Sequence, residues 1–245
     1  MSSKRAGIIA LIVLAVLVAG LGAFVLQKQR QTPPPPAEAA SVPLHTYAAD
    51  RRVKLEVYGD SISQGSSRAF AYGDFGKTSW AYYLKGSEFE YGGGYAQGGM
   101  TSAQILKDRV AGQAERDALL IELGTNDLRS SASFEDKHSE FMSNVDAIVK
   151  KRGYKPAKVV VMAVGPVSWP GPAAVVQWNS ATRAAAKNRG YAFIDPWQGL
   201  RNEDGSMVSQ DDFLDGIHPN ESGAKKLSAN MFQELKKAGF TPKGA

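Results

Sequence analysis

From about residue 50 onward, short β-rich runs alternate with longer helical stretches, and this alternation constrains the fold more than any other feature of the chain. Val53–Tyr58 (VKLEVY), Ala118–Leu123 (ALLIEL), Lys158–Val164 (KVVVMAV) and Tyr191–Ile194 (YAFI) are apolar runs, each followed by Gly or Asp. Phe89–Ala96 reads as a weaker strand. Between the runs lie helical patterns. Ser102–Gln113 follows a suitable cap at Thr101, and Phe134–Lys151 carries Phe134, Phe141, Val145, Ile148 and Val149 on one stripe. Ala173–Asn188 is alanine-rich, and Glu221–Ala238 lines up Ala224, Leu227, Met231 and Leu235 behind a cap at Asn220. Strands and helices in alternation predict an α/β fold, a parallel sheet covered by helices on both sides. Sites in such sheets form at the carboxyl ends of the strands, near the point where strand order reverses.

The N-terminal part follows different rules. Gly7–Leu26 is an uncharged apolar run; as a helix it would extend about 30 Å, the thickness of a bilayer's hydrocarbon core. It is apolar all round, whereas buried core helices are usually amphipathic. A cleaved signal peptide is the rival reading, but its apolar region normally runs about 7–15 residues before a small-x-small site. Here the first such site, Ala37-Glu38-Ala39, lies beyond QKQRQTPPPP. The expectation is therefore an uncleaved membrane anchor over residues 1–26, a stiff proline-rich tether over 27–49, and one globular domain over 50–245. Lys4 and Arg5 face Lys28 and Arg30 across the span, a slight bias that keeps the N-terminus cytoplasmic and the domain extracytoplasmic. Cleavage would instead yield a secreted domain.

Charge and cysteine content exclude several classes. The formal charge is +5, but those four cations lie in a segment without acids, and removing them leaves 25 basic residues against 24 acidic ones. No concentrated basic patch remains, so nucleic acid is not an expected partner. With no cysteine, disulfides, thiolate catalysis and thiolate metal sites are excluded.

Gly-Asp-Ser at Gly59–Ser61 is good turn chemistry in its own right. A function for Ser61 requires other reactive residues at the same sheet edge, and the chain has them. GTND (Gly124–Asp127) follows a strand, QGGMTS (Gln97–Ser102) lies between the weak strand and the next helix, and DGIHPN (Asp215–Asn220) enters the last helix.

These blocks, with GDSIS at Gly59–Ser63, resemble those of the SGNH, or GDSL-type, hydrolase family, in the family's order and across nearly the whole domain. The second block departs somewhat, lacking the asparagine and first glycine often found upstream. The resemblance implies a three-layer α/β/α, flavodoxin-like fold and a serine esterase without metal or organic cofactor. It implies Ser61 as nucleophile, His218 as base and Asp215 as the acid that orients it. The oxyanion hole is then the Ser61 and Gly99 backbone N–H groups and the Asn126 side chain, with Gly98 the alternative to Gly99. The chemistry suits these residue types: a serine nucleophile needs a base for its proton and donors for the charge forming on the carbonyl oxygen.

Other residues receive plainer readings. His45 lies beside the tether, and His138 sits in a predicted helix as a packed or solvated residue. Asp211 and Asp212 compete with Asp215, and the family's spacing selects Asp215. Asp60, Asp127, Ser63 and Thr125 are expected to bond local loop backbone, and the spacing of Asp60, Asp127 and His218 does not favour a metal site. Trp80, Tyr82, Tyr83, Trp169 and Trp197 read as packing, with a substrate cleft as the alternative, and the long Ser66–Thr78 loop shapes the entrance. The expected substrate is a small-molecule or glycan ester, cleaved through an acyl-Ser61 intermediate. Lipase, lysophospholipase or thioesterase chemistry and a non-catalytic polysaccharide-binding module are the alternatives.

Overall fold

The computed structural model describes residues 51–113 and 116–242. The expected anchor, the tether and His45 lie outside the described residues. Among the described residues, no helix is long and apolar enough to cross a membrane.

Five strands form one sheet: β1 (Val53–Gly59), β2 (Phe89–Ala96), β3 (Ala118–Glu122), β4 (Val159–Met162) and β5 (Ala192–Ile194). Their order is β2-β1-β3-β4-β5 and every pairing is parallel. β3 and β4 are buried throughout, which is why, Glu122 at the end of β3 apart, they read as continuous apolar runs rather than alternating ones. After β1 the chain crosses to β2 on one side, then returns past β1 to β3. Strand order therefore reverses between β1 and β3, where a crevice opens at the carboxyl ends.

The helices are α1 (Ser61–Gln64), α2 (Ser102–Asp108), α3 (Thr125–Leu128), α4 (Phe134–Arg152), α5 (Pro172–Asn188) and α6 (Glu221–Lys237). α4 packs between α2 and α5 in one layer, whereas α6 packs with the 3₁₀ helix Trp80–Leu84 in the other, giving three layers in all. This division follows from right-handed crossovers: connections running in opposite directions along the sheet fall on opposite faces. The predicted stripes face the core. Phe141, Val145, Ile148 and Val149 of α4 are buried, as are Ala224, Leu227, Met231 and Leu235 of α6.

One helix is shorter than its pattern suggested. α2 ends at Asp108 instead of Gln113, because Val110 is drawn into the core and its amide bonds back to Ile105 O at 3.2 Å. The one-turn helices α1 and α3, and the 3₁₀ helices Phe70–Tyr72 and Trp80–Leu84, fall where the sequence showed only loops or no clear element. The first of these two 3₁₀ turns lies within the Ser66–Thr78 loop.

Candidate active site

β1 ends at Gly59, which is paired in register with Glu122 at the end of β3. Asp60 then caps α1, its Oδ1 accepting the Ile62 N–H at 3.0 Å. Ser61 is the first residue of α1, and the first amides of a helix have no intrahelical acceptor. Its side chain meets a residue far away in sequence: the Ser61 hydroxyl and His218 Nε2 are 2.9 Å apart.

His218 is presented by a loop that a Leu214 N–H to His218 O bond of 2.8 Å closes just before α6. Asp215 organises this loop with both oxygens. Oδ1 accepts the N–H groups of Ile217 and His218, each at 2.8 Å, and Oδ2 meets His218 Nδ1 at 2.8 Å. Burial alone would raise the Asp215 pKa, but the His218 side chain and these amides outweigh it and hold the carboxyl below the usual range. Of the competing aspartates, Asp212 is engaged by Lys226 Nζ at 2.7 Å and Ser222 Oγ at 2.8 Å.

The loops after β2 and β3 complete the edge. Asn126, in α3, donates from Nδ2 to Met100 O at 3.0 Å, which fixes the plane of its amide and leaves it a second hydrogen. Gly98 N–H is occupied by Gln64 Oε1 at 2.6 Å. Gly99 has φ +78° and open space where a Cβ would stand, so a backbone amide can approach a ligand there without obstruction. The carboxylate of Asp127 accepts from Ser102 N–H at 3.1 Å and from Ser102 Oγ at 2.6 Å. Asn144 braces the same hydroxyl at 2.9 Å. Asp127, expected to bond its own loop, reaches the preceding block, tying the Gly99 loop to the Asn126 turn.

A cavity of about 260 Å³ opens beside Ser61 and His218, walled by Gly65, Ser66, Thr78, Leu214 and Pro219. None of Gly98, Gly99 or Asn126 lines it, so it lies on the imidazole side of the serine. Beneath the turn the electrostatics are unusual. Burial pushes Asp60 up to about 7, and burial together with Asp60 raises Glu122 well above the carboxylate range. Asp127 is raised by burial against the opposing pull of Ser102.

Several residues are occupied elsewhere. His138 bonds Thr182 Oγ1 at 3.1 Å and stacks on Phe134, a packed residue between α4 and α5. Trp197 is buried with its Nε1 on Ala163 O at 2.8 Å, and Trp80 is buried with its Nε1 on Ser63 Oγ at 2.9 Å. Tyr83 hydroxyl bonds the carbonyls of Lys77 and Glu221, while Tyr82 and Trp169 are exposed. Thr125 hydrogen-bonds Asp60. Ser63 does not stay local either: its hydroxyl reaches Glu122 Oε2 at 2.7 Å. Glu122 is the residue that sequence reasoning missed, because inside ALLIEL it is merely the polar member of a strand. Its place just before Gly-Thr-Asn-Asp was the one available signal.

Parallel sheet, reversal-point crevice and a Ser–His–Asp chain at its rim define an α/β/α carboxylic ester hydrolase. A model of the GDSL-like lipase/acylhydrolase family matches residues 57–226, and the chain belongs to that family. An acetylxylan esterase from Xylanibacter ruminicola is 31% identical in an alignment 144 positions long that covers 49% of this chain and 28% of that protein. The chain thus spans little more than a quarter of that relative's length. Among solved structures, a GDSL-like lipase from Bacteroides thetaiotaomicron aligns with TM-score 0.54 at 19% identity, over 76% of this chain and 88% of the other. A lipolytic G-D-S-L protein from Veillonella parvula gives 0.58 at 16%, covering 75% and 98%. The psychrotrophic esterase EstA from Pseudoalteromonas gives 0.52 at 20%, covering 75% and 97%. At such identities these structures establish the shared fold.

Proposed function

We propose that the protein is a serine esterase that removes short acyl groups from carbohydrate esters through an acyl-Ser61 intermediate. The observation that carries this reading is the unbroken Asp215–His218–Ser61 chain, with contacts of 2.8 and 2.9 Å. Ser61 Oγ attacks the ester carbonyl carbon while His218 Nε2 takes the hydroxyl proton. The proton passes to the leaving alcohol oxygen as the C–O bond breaks. Water then attacks the acyl carbon as the same nitrogen takes its proton, the bond from that carbon to Ser61 Oγ breaks to release the acid, and His218 returns the proton to Ser61 Oγ. Asp215 keeps the imidazole proton on Nδ1, so that Nε2 can accept. The Ser61 and Gly99 N–H groups and the free hydrogen on Asn126 Nδ2 receive the oxyanion.

Two observations favour a short acyl group and a sugar. The cavity at Ser61 is about 260 Å³, below the roughly 300–1,000 Å³ of pockets for drug-sized ligands. The curated relative is an acetylxylan esterase. The apolar run Gly7–Leu26 and the prolines after it favour an anchored, extracytoplasmic domain facing such material.

The test is an acyl-chain series of p-nitrophenyl esters from acetyl to dodecanoyl, with acetylated xylan beside it, on wild type and Ser61→Ala. Activity confined to short chains, acetate release from xylan and an inert Ser61→Ala are expected. A long-chain or thioester preference would replace the substrate assignment. Full activity in Ser61→Ala would end the nucleophile assignment, and a folded wild type that turns over no ester would leave only a binding module.

A further inference from the structure

Glu122 ends β3 and reaches into the nucleophile turn without belonging to it. The side chain is buried, and Oε2 gathers donors from that turn. It accepts from Ser63 N–H at 3.0 Å and Ser63 Oγ at 2.7 Å, and at 3.3 Å it shares Asp60 N–H with the Glu122 main-chain carbonyl, which takes it at 3.2 Å. These donors straddle Ser61, one before it in the chain and two after. Ser63 Oγ also accepts from Trp80 Nε1 at 2.9 Å, so its single hydrogen is committed to Glu122. Ser79 Oγ holds the Ser63 carbonyl from the other side. Gly59 permits this convergence, since a Cβ there would stand 2.9 Å from Glu122 Oε2 and against the Ser63 side chain.

The strand that supplies Glu122 also leads into Asn126. One carboxyl group therefore ties the segment bearing Ser61 to the segment bearing an oxyanion donor, across the reversal point of the sheet. Burying a carboxyl is costly, and an apolar residue could fill the same strand end. What an apolar residue could not do is take the Ser63 amide and hydroxyl, and so draw them towards the Asp60 amide that the main chain already holds. The task does not depend on charge: with a proton on Oε1, Oε2 still accepts.

We propose that Glu122 is a positioning residue for ester cleavage, setting the pose of Ser61 against the Asn126 amide through Asp60 and Ser63. This rests on the reading of Ser61 as nucleophile.

The test uses the full chain and two rates: kcat on p-nitrophenyl acetate, and labelling of Ser61 by a fluorophosphonate probe. Glu122→Leu loses both side-chain oxygens, keeping only the main-chain carbonyl that holds Asp60 N–H, and is expected to lower both rates about 100-fold with KM nearly unchanged, the scale of a misplacement of about 1 Å. Glu122→Gln keeps an acceptor oxygen, and its weaker neutral bonds are expected to hold both rates within about fivefold of wild type, with the same pH profile. Glu56 is a second buried glutamate, held by Arg152 and Tyr154 on β1. Glu56→Gln should lower Tm and leave kcat unchanged, separating position from general stability. If Glu122→Leu does not fold, Ser63→Ala removes one donor and is expected to slow both rates about three- to tenfold.

Wild-type rates in a folded Glu122→Leu, or in Ser63→Ala, would overturn the proposal. So would a Glu122→Gln as impaired as Glu122→Leu, since charge and not hydrogen-bond geometry would then govern. Ser61→Ala run alongside separates the two readings. If it is inert while Glu122→Leu is fully active, only the positioning role fails; if it turns over, the nucleophile assignment itself fails.

Discussion

Replacing Asp215 with asparagine isolates one atom of the site. The two oxygens have separate tasks: Oδ1 holds the Ile217 and His218 amides, and Oδ2 meets His218 Nδ1. Asparagine with its carbonyl at the Oδ1 position preserves the loop, but its amide hydrogens then confront Nδ1. The imidazole must carry its proton on Nε2, towards a serine oxygen 2.9 Å away, and cannot accept from it. In the serine proteases this same change costs about 10⁴ in kcat. The loss here should be smaller, because the Asp215 and His218 side chains retain 55% and 37% exposure and water can partner a turned ring. About 10²–10³-fold is expected, equivalent to roughly 3–4 kcal/mol of transition-state stabilisation. The assay is kcat on p-nitrophenyl acetate at pH 8, read beside a thermal melt that should move by no more than about 2 °C, since the bonds to Oδ1 survive. The carboxyl lies below the usual range, so it is ionised at the point where an unfolded aspartate protonates, at about 3.9. Any loss of wild-type activity above pH 5 must therefore come from another group. A folded Asp215→Asn variant that kept more than a tenth of wild-type kcat would refute an orienting role for Asp215.

Asn126→Ala should lower kcat about 10²–10³-fold with little change in KM, as loss of one oxyanion donor does; steady-state kinetics showing a KM effect alone would contradict the assignment. Gly99→Ala meets no neighbouring atom but forces a Cβ residue to φ +78°, so a loss of about 1–2 kcal/mol is expected in urea unfolding, and wild-type stability would count against the strained amide. Stability should also fall as pH rises from 5 to 8. Asp60, Glu122 and Asp127 bind protons more tightly folded than unfolded, so their contribution is complete in acid and lost as pH passes about 7 for Asp60. The expected drop is on the order of 2 kcal/mol. His138, lowered by burial, opposes this mildly at the acid end of the range. A urea midpoint that stays flat or climbs from pH 5 to 8 would refute the buried-carboxyl account.

The strands were readable because β3 and β4 are buried along their length and β1 at every position but Lys54, so apolar residues predominate in all three despite Glu56 and Glu122, and α4 and α6 because each buries one stripe. The reactive blocks were readable because their residue types are rare in that order at strand ends. What escaped were contacts between blocks. Nothing local marks Asp127 as the partner of Ser102, or Ser63 as the link between Trp80 and Glu122, since each bond joins segments separated by 17 to 59 residues. Short helices escaped for a related reason: α1 and α3 are single turns, too brief for a 3.6-residue period to register; Asp60 caps α1, whereas α3 follows Gly124 without a side-chain cap.

The serine and the imidazole that meet at the rim are 157 positions apart in the chain. A ribosome that has delivered Ser61 must still synthesise β2 through β5 before His218 emerges, so nascent chains stay chemically silent until almost the last helix is made.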